Sequence, residues 1–468
     1  LVLEAHEAAL RAGGEPVLDL AFIEQHTVGL DALIEDLRGT RWEDILRISG
    51  VEKAQIERMA AVYMGAKSAI ICYGMGITQH RRGTETVQQI ANLLLMRGNF
   101  GRPGAGICPV RGHSNVQGDR TVGIDEKPSA ELLGNIEKVF GFHPPQHHGH
   151  SVVDSIKAMI DGTSQVFIGL GGNFVAATPD TEITRAAMRR LKLTVGINTK
   201  LNRGHIVHGQ EALILPCLAR SDIDMQASGR QSITVEDSMS MVHASSGLVE
   251  PPSPELKSEV AIVCGMARAT LPDSGIDWDA FEGDYTLIRD KIEAVFPVLF
   301  ADFNARLRVP GGFHLNNGPR DRIWKTANGK ANFLVIEGLA EDARIANPGT
   351  LMLTTIRSHD QYNTTIYSLN DRYRGVFGGR MVVFMNEQDM AVRGIAPDSM
   401  VELESLAGSD VRRTATGFKV KPYSIPRGSI AAYYPETNGL IPLAHHDPRC
   451  KTPSGKSIPV LARPIAAA

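Results

Sequence analysis

One pattern occurs twice in this chain and limits its fold more than any other feature. A short apolar run leads into a glycine-rich turn and then a helix, first at residues 69–97 and again at residues 166–190. Two further apolar runs, 193–197 and 212–216, follow the second copy. Strands that alternate with helices predict a parallel α/β sheet, and unbroken apolar strands are typical of sheets buried on both faces.

The segments on either side of this pattern predict different structures. Residues 1–65 carry helical periodicity, and Ser49 with Glu52 has the spacing of a helix N-cap and its capping box. From Leu351 onward, short β-rich runs separated by turns predict a β-barrel. The expected regions are a helical and first, partial α/β dinucleotide-binding region at 1–111, a second one at 112–250, a helical connecting region at 251–345, and the barrel domain at 350–468.

Composition narrows the class of protein. The chain has 468 residues, of which 43% are hydrophobic and 22% charged, as in an ordinary globular protein. At roughly 150 residues per domain, this length predicts more than one domain. The formal net charge of −3 lacks the basic excess of a dedicated nucleic-acid binder. No apolar run is long enough to cross a bilayer. We therefore expect neither a nucleic-acid partner nor a membrane span.

The cysteines indicate a reducing compartment. The chain has five, and the two nearest in sequence, Cys72 and Cys108, are 36 positions apart (108 minus 72), so no CxxC-type motif exists. A disulfide framework is therefore not expected, and with no signal peptide at the start the predicted location is cytoplasmic. Because the chain opens on Leu1 within a helical pattern, we expect it to lack an upstream segment.

The glycine turns are candidates for phosphate binding. Glycine permits positive φ and close backbone approach, so exposed amides and a helix N-terminus can hold a phosphate. Neither turn is a full GxGxxG, and neither is followed by Gly-Lys-Ser/Thr, so the standard dinucleotide fingerprint and the P-loop are both unsupported. Each turn is either a simple strand end or a ligand contact.

Two polar segments contain candidates for catalysis or metal binding. In residues 109–118, the Arg111 guanidinium could hold a small anion and the His113 imidazole could move protons near neutral pH. The alternative is a hydrogen-bonded loop latch. The histidines within residues 143–150 lie in a Pro-Pro loop, which favours a surface or channel-lining loop over a metal site. We identify no metal ligand in the chain.

Two donor-rich segments follow strands of the predicted barrel. Residues 354–363 and 434–442 are dense in hydroxyl, amide and charged side chains. Together they could clasp a large polar ligand such as a pterin or a nucleotide base. Ordinary turn chemistry by Asn, Asp and Thr explains the same composition, and spacing does not separate the two hypotheses.

These segments resemble a known family. Residues 74–80, 98–106 and 111–118 are similar to the molybdopterin oxidoreductases, and residues 354–363 and 435–438 resemble that family's C-terminal dinucleotide-binding domain. The nearest branch is that of the formate dehydrogenase alpha subunits, in particular the YdeP type. The resemblance implies Rossmann-like parallel-sheet domains in pseudo-symmetric arrangement, followed by a C-terminal β-barrel of the double-psi type.

The resemblance also implies a cofactor and a set of site residues. The cofactor is a bis(molybdopterin guanine dinucleotide) holding Mo or W, which performs the redox chemistry while the protein supplies orientation and electrostatics. Arg111 matches the arginine that positions substrate, and His113 stands where formate dehydrogenases more usually have Gln. The cofactor-binding residues implied are Gly76, Gln79, Gly112, Asn115, Gly171, Gly172, Asn173, Arg357, His359, Asn363 and Asn438.

One part of the family pattern is absent from this sequence. The family's [4Fe-4S] cysteines and metal-ligating residue lie upstream, and residues 1–70 contain no cysteine. We expect the cluster on the segment that the chain lacks, with electrons passing to a partner protein. The leading hypothesis is a molybdopterin-dependent oxidoreductase acting on a small substrate, formate among them. The alternatives are a non-catalytic cofactor-binding or assembly partner, and an NAD(P)-dependent dehydrogenase.

Overall fold

The fold is described from a computed structural model, which covers residues 1–340, 343–364, 366–408 and 411–465. The end of the last predicted region, residues 466–468, lies outside the described residues. Two compact units emerge from the packing of the backbone. The first comprises Leu1–Gly112, Asn316–Pro348 and Asp447–Cys450, and the second comprises His113–Leu315, Gly349–His446 and the chain from Lys451 onward.

The described chain contains single strands between helices as well as runs of several helices or several strands. The helices are α1 Val2–Arg11, α2 Leu20–His26, α3 Leu30–Gly39, α4 Trp42–Ser49, α5 Lys53–Gly65, α6 Met75–Thr78, α7 Gly83–Met96, α8 Val116–Thr121, α9 Ala130–Phe140, α10 Val152–Asp161, α11 Phe174–Ala177, α12 Thr181–Arg189, α13 Glu259–Thr270, α14 Trp278–Gly283, α15 Tyr285–Val295, α16 Phe303–Leu307, α17 Ala343–Ala346 and α18 Glu387–Val392. The strands are β1 Thr27–Val28, β2 Ile70–Tyr73, β3 Gly106–Pro109, β4 Val166–Leu170, β5 Leu193–Asn198, β6 Glu211–Pro216, β7 Met225–Gln226, β8 Gly229–Arg230, β9 Ile233–Glu236, β10 Met241–Ser245, β11 Phe313–His314, β12 Ala331–Asn332, β13 Leu351–Ile356, β14 Val382–Met385, β15 Met400–Ser405, β16 Thr414–Pro422, β17 Ser429–Tyr433 and β18 Ile458–Pro464. In the part of the chain that the structure describes, no helix has both the length and the hydropathy needed to cross a bilayer.

The first unit begins with helices, as the sequence predicts, but the predicted cap at Ser49 is wrong. Ser49 is the last residue of α4, and Gly50 ends that helix in the left-handed conformation with φ 65°. The residue that precedes α5 is Glu52, whose side chain makes no capping hydrogen bond. The Ser49 hydroxyl accepts from the Val51 amide at 3.2 Å instead. A local turn therefore uses the hydroxyl that a helix cap would have used.

The first predicted strand–turn–helix copy is confirmed in this unit. Strands β2 and β3 pair in parallel, and α7 follows the turn after β2. Ile71 and Ile107 pack into a core with Leu94 and Phe22. The other face of β2 is open, because Ile70 is 52% exposed, so the prediction that this strand is buried on both faces is wrong.

The second copy is confirmed in the second unit. Strands β4, β5 and β6 form a parallel sheet with β5 in the centre. Burial on both faces holds for the middle of β5 only, where the neighbouring residues Thr194 and Val195, which face opposite sides of the sheet, are both buried. The flanking strands are not buried on both faces, since Leu213 on β6 is 51% exposed. The predicted α/β class with parallel sheets is thus confirmed. The flanking strands β4 and β6 each have an exposed face.

The β-rich C-terminal region is a closed barrel in the order β13-β17-β14-β16-β15-β18. Two of its pairings are parallel, β13 with β17 and β14 with β16, and the others are antiparallel. The predicted barrel is confirmed, although the sequence analysis missed β16. That strand begins with small and polar residues around Gly417, and its apolar positions Phe418 and Val420 are wholly buried in the barrel core.

A buried ion pair connects the barrel to the α/β part of the second unit. Asp180 precedes α12 and receives two hydrogen bonds from Arg413, at 3.0 and 2.8 Å. The Leu443 amide donates to the same carboxylate at 3.1 Å. Both charged side chains are almost inaccessible, at 6% exposed for Asp180 and 11% for Arg413. Their pairing satisfies both charges out of water.

We expect Asp180→Ala to destabilise this unit strongly. Removing the carboxylate leaves the buried guanidinium and the Leu443 amide unpaired, which lowers the free energy of unfolding by about 3–5 kcal/mol. Urea denaturation followed by circular dichroism measures the loss. Glu402→Ala is the control, because its partner Arg412 is 60% exposed and such pairs contribute below about 1 kcal/mol. Equal losses in the two variants would contradict the assignment.

Candidate cofactor and substrate site

The turn after β4 presents bare backbone. Gly171 and Gly172 have φ of 72° and 70°, and a side chain added at either would meet no atom within 4 Å. The next residue, Asn173, is the N-cap of α11, and its side chain accepts a hydrogen bond from the Ala176 amide at 3.4 Å. Two successive glycines in the left-handed region let a ligand approach the main chain closely.

Neighbouring side chains fix the shape of this turn. The Gly171 amide donates to the Ile197 carbonyl at 2.8 Å. The Gly172 carbonyl accepts from Asn198 Nδ2 at 2.8 Å and from Asn202 Nδ2 at 3.1 Å. The turn is therefore held against the end of β5 and the loop that follows it.

A cleft of about 290 Å³ opens beside the turn. Its lining includes Lys200 and Arg203, two cations on the loop after β5, together with Asn173 and Glu259. Backbone amides, amide side chains and two cations form the donor set that a dinucleotide diphosphate requires. Sequence analysis missed Lys200 and Arg203, although they follow the carboxyl end of a parallel strand, where such sheets bind ligands.

His113 lies against the barrel in the second unit. Its Nε2 is 3.3 Å from Asn363 Nδ2, and its ring is 4.7 Å from that of Tyr362 between centroids. Asn363 Oδ1 in turn accepts from Arg357 Nη2 at 3.4 Å. The structure thus brings together His113, Arg357 and Asn363, which the sequence places in two distant segments.

This contact fixes the protonation of His113. Arg357 can only donate, so Asn363 turns its oxygen toward Arg357 and its NH₂ toward His113. The Nε2 atom of His113 must then accept, which places the ring proton on Nδ1. Burial, and secondly the Arg357 charge, lower the pKa of His113 below its ordinary value. Both effects favour the neutral imidazole, which is the form that this hydrogen bond requires.

One buried arginine holds the two donor-rich loops together. Arg380 is 4% exposed and pairs with Glu436 at 2.6 Å. It also donates to Ser358 Oγ at 3.0 Å, to Gln361 Oε1 at 2.8 Å and to the Tyr434 carbonyl at 2.8 Å. Residues 354–363 and 434–442 therefore do meet around a common point. Arg380 lies just before β14 and was not predicted from the sequence.

Lys456 adds a second cation beside Arg357. Its Nζ donates to the Thr355 carbonyl and lies 3.2 Å from Thr355 Oγ1. Burial, and secondly the nearby Arg357 charge, lower the pKa of Lys456 to about 8. An anion that approached both groups would stabilise the charged form of the lysine. Its position on the barrel was not predicted from the sequence.

Other predicted residues of the second unit have protein partners. Asn438 donates to the Ala176 carbonyl at 2.7 Å, and Asn115 Oδ1 accepts from the Glu236 amide at 3.0 Å. The ring of His359 stacks on that of Tyr373 with centroids 3.8 Å apart. These contacts position the loops, and the predicted cofactor roles of the three residues remain predictions.

The remaining predicted residues lie in the first unit. Gly76 has open space at its Cα, and its carbonyl is 2.8 Å from His80 Nε2. Gln79 Nε2 lies 3.4 Å from Met75 Sδ on the same turn. Arg111 and Gly112 are exposed directly after β3. The predicted set is thus divided between the units, with Arg111 two positions before His113 in the chain.

The histidine-rich loop has the features of a surface segment. His143, His147, His148 and His150 are exposed, and His143 Nδ1 lies 3.2 Å from Glu137. Across the described ranges, no three His, Cys, Asp or Glu side chains come together as metal ligands would.

Comparison with known protein families identifies two domains. The Molybdopterin oxidoreductase model matches residues 53–204, which include the turns at Gly76 and Gly172 and the loop that carries His113. The Molydopterin dinucleotide binding domain model matches residues 351–459, the barrel.

Individual proteins of known sequence or structure are also similar to this chain. Protein YdeP of Escherichia coli K12 is 50% identical over 466 residues, which are 99% of this chain and 61% of that protein. Formate dehydrogenase H of the same organism is 30% identical over 190 residues, 39% of this chain and 27% of that enzyme. Acetylene hydratase from Pelobacter acetylenicus has a similar fold, with a TM-score of 0.67, 15% identity and coverage of 95% of this chain and 68% of that one. The chain spans about three fifths of the YdeP length.

We expect Asn363→Asp to raise the pKa of His113. The substitution replaces an NH₂ donor with a carboxylate that favours the protonated ring, so the pKa rises by about one unit or more. A histidine NMR titration of wild type and variant measures the change. Asn370→Asp, on the same barrel segment, is the matched control and should leave His113 unchanged. An unaltered His113 titration in Asn363→Asp would refute the deduced hydrogen-bond arrangement.

Proposed function

The chain belongs to the molybdopterin oxidoreductase family, and we propose that the protein performs two-electron redox chemistry on a small substrate with a bis(molybdopterin guanine dinucleotide) cofactor. The observation that carries this proposal is the open glycine turn beside a cation-lined cleft. Mo and W are both compatible with the residues described.

The residues of the cleft fit one half of such a cofactor. Gly171 and Gly172 leave space that any side chain would fill, and Lys200 with Arg203 supplies charge for a diphosphate. Asn173 offers an amide for a ribose or phosphate oxygen. On the barrel, Arg357 and Lys456 provide cations for a second anionic group. When bound, the cofactor supplies the electron-transfer chemistry.

Arg111 and His113 are the candidate substrate residues. A guanidinium that is exposed after β3 can hold a carboxylate by two hydrogen bonds. Neutral His113 can accept a proton at Nε2 once the Asn363 amide releases that atom. Formate or another small carboxylate, which needs a cationic partner and a proton acceptor, is the substrate class we propose.

The proposal includes components outside these residues. A [4Fe-4S] cluster and an electron-transfer partner protein would carry electrons to or from the site, in the cytoplasm. A second candidate is a cofactor-binding or assembly partner without catalysis. Cofactor content and turnover, measured on the same preparation, separate the two functions.

We expect Gly172→Val to lose cofactor. A branched side chain at this position fills the open space and is strained at positive φ, so dinucleotide binding is blocked. Elemental mass spectrometry for Mo and W, with fluorescence of released pterin, measures the content of purified protein. Gly141→Val is the matched control, because Gly141 has φ 74° and equal open space at the end of α9. A Gly172→Val protein that keeps full pterin, or a wild type that contains none, would overturn the cofactor assignment.

Substitutions at the two substrate residues should affect different kinetic constants. Arg111→Ala removes a charged hydrogen-bond partner of the substrate and should raise KM about 10- to 100-fold. His113→Ala removes the proton acceptor and should lower kcat by about 100-fold or more. Steady-state assays with formate on the cofactor-loaded protein test both, with exposed Arg81→Ala as the control. Wild-type turnover in both variants would remove these residues from the mechanism, and an inactive wild type would remove formate.

A further inference from the structure

Two cysteines that are distant in sequence lie side by side in the first unit. Cys72 on β2 and Cys108 on β3 are register partners across a parallel pair. Residues opposite each other on neighbouring strands point their side chains to the same face, with backbones about 4.8 Å apart. That separation is within the Cα range of a disulfide, about 4.4–6.8 Å.

The pair lies on the open face of its sheet. Ile71 and Ile107, the residues next to them, point into the core, so both cysteines point away from it. Cys72 is exposed and Cys108 is partly buried, and neither is in a disulfide. Burial, and secondly the neighbouring Cys72 thiol, raise the pKa of Cys108. An oxidant therefore reaches Cys72 first, with a second thiol next to it.

We propose that Cys72 and Cys108 are a redox modification site that closes to an intramolecular disulfide by exchange with a small disulfide. This inference is independent of the proposed catalytic function. Its basis is the register of β2 and β3 together with the exposure of one of the two thiols.

The exchange balances in two steps. The Cys72 thiolate attacks one sulfur of the small disulfide, the S–S bond breaks and one small thiolate leaves. Cys108 then loses its proton to solvent and attacks the Cys72 sulfur, which expels the second small thiolate. Two protein thiols are oxidised, and one small disulfide is reduced to two thiols.

Geometry predicts that this disulfide is reversible. Cys72 is exposed, so small thiols in solution can reach a bridge at this position. Strained and exposed disulfides are the labile ones. The bridge would form only under oxidising conditions and open again with excess thiol.

The position of the bridge gives it a structural consequence. Val110 donates from its amide to the Tyr73 carbonyl at 2.7 Å, so the two chains stay paired beyond the cysteines. Gly76 and Arg111 follow directly, on the segments that leave these strand ends. A cross-link at 72 and 108 therefore restrains the backbone just before both predicted site segments.

Peptide mapping after redox equilibration tests the proposal. Reduced protein is incubated with mixtures of reduced and oxidised glutathione, quenched with an alkylating reagent, and digested for mass spectrometry. We expect a peptide linked through Cys72 and Cys108, with loss of two hydrogen atoms per chain and full reversal by dithiothreitol. Hydrogen exchange should slow at residues 74–80 and 110–112 in the oxidised form.

Single variants distinguish the two steps. Cys108→Ser should stop at a stable Cys72–glutathione mixed disulfide, and Cys72→Ser should form neither product at Cys108. Cys450, the other exposed cysteine, reports the accessible-thiol reaction in every sample. If wild-type protein accumulates the Cys72 mixed disulfide to the same extent as Cys108→Ser, or if Cys72 remains unmodified while Cys450 reacts, the proposal is overturned.

Discussion

The pairing of Arg380 with Glu436 is the contact on which the barrel side of the site depends. Both groups lie where water is largely excluded, so each charge needs its partner, and the guanidinium uses its remaining donors on residues of two separate loops. Stacking over the rings of Tyr367 and Tyr433, at 4.5 and 4.8 Å, further confines it. Loss of this one side chain would release both loops together.

The effect of that contact reaches His113 through a short chain of hydrogen bonds. Gln361 accepts from Arg380 and donates to the Asn363 carbonyl at 2.8 Å, which fixes the position where Asn363 meets His113. Asn363 itself has φ 50°, in the left-handed region of the backbone, which among residues other than glycine is adopted most readily by Asn, Asp and His. The hydrogen bond to His113, the proposed proton acceptor, thus depends on a buried ion pair further along this chain of contacts.

The sequence predicts those parts of this structure that repeat a local pattern. Apolar strands, glycine turns and the short β-rich runs of the barrel can each be recognised from a few consecutive residues. The two strand–turn–helix copies and the barrel were therefore correctly predicted. Arg380 was missed because its hydrogen-bond partners lie 19 to 56 positions away in the sequence and no local pattern marks it. Strand burial was misjudged at β2 and β6 because an apolar run reveals that a strand can be buried, not what covers it. The prediction of a helix N-cap at Ser49 was wrong because Ser49 is the last residue of α4, which Gly50 ends.

The geometry of parallel sheets explains why candidate residues follow the carboxyl ends of strands in each unit. In a parallel sheet the carboxyl ends of all strands lie at the same edge. Loops that follow these ends can therefore meet although they are far apart in sequence. Gly172 follows β4, Lys200 follows β5, and Arg111 follows β3 in this way. Each of these residues is polar or lacks a side chain, because the edge must present amides and charge rather than apolar surface. Each unit therefore has one such edge: β2 and β3 supply it in the first unit, and β4, β5 and β6 supply it in the second.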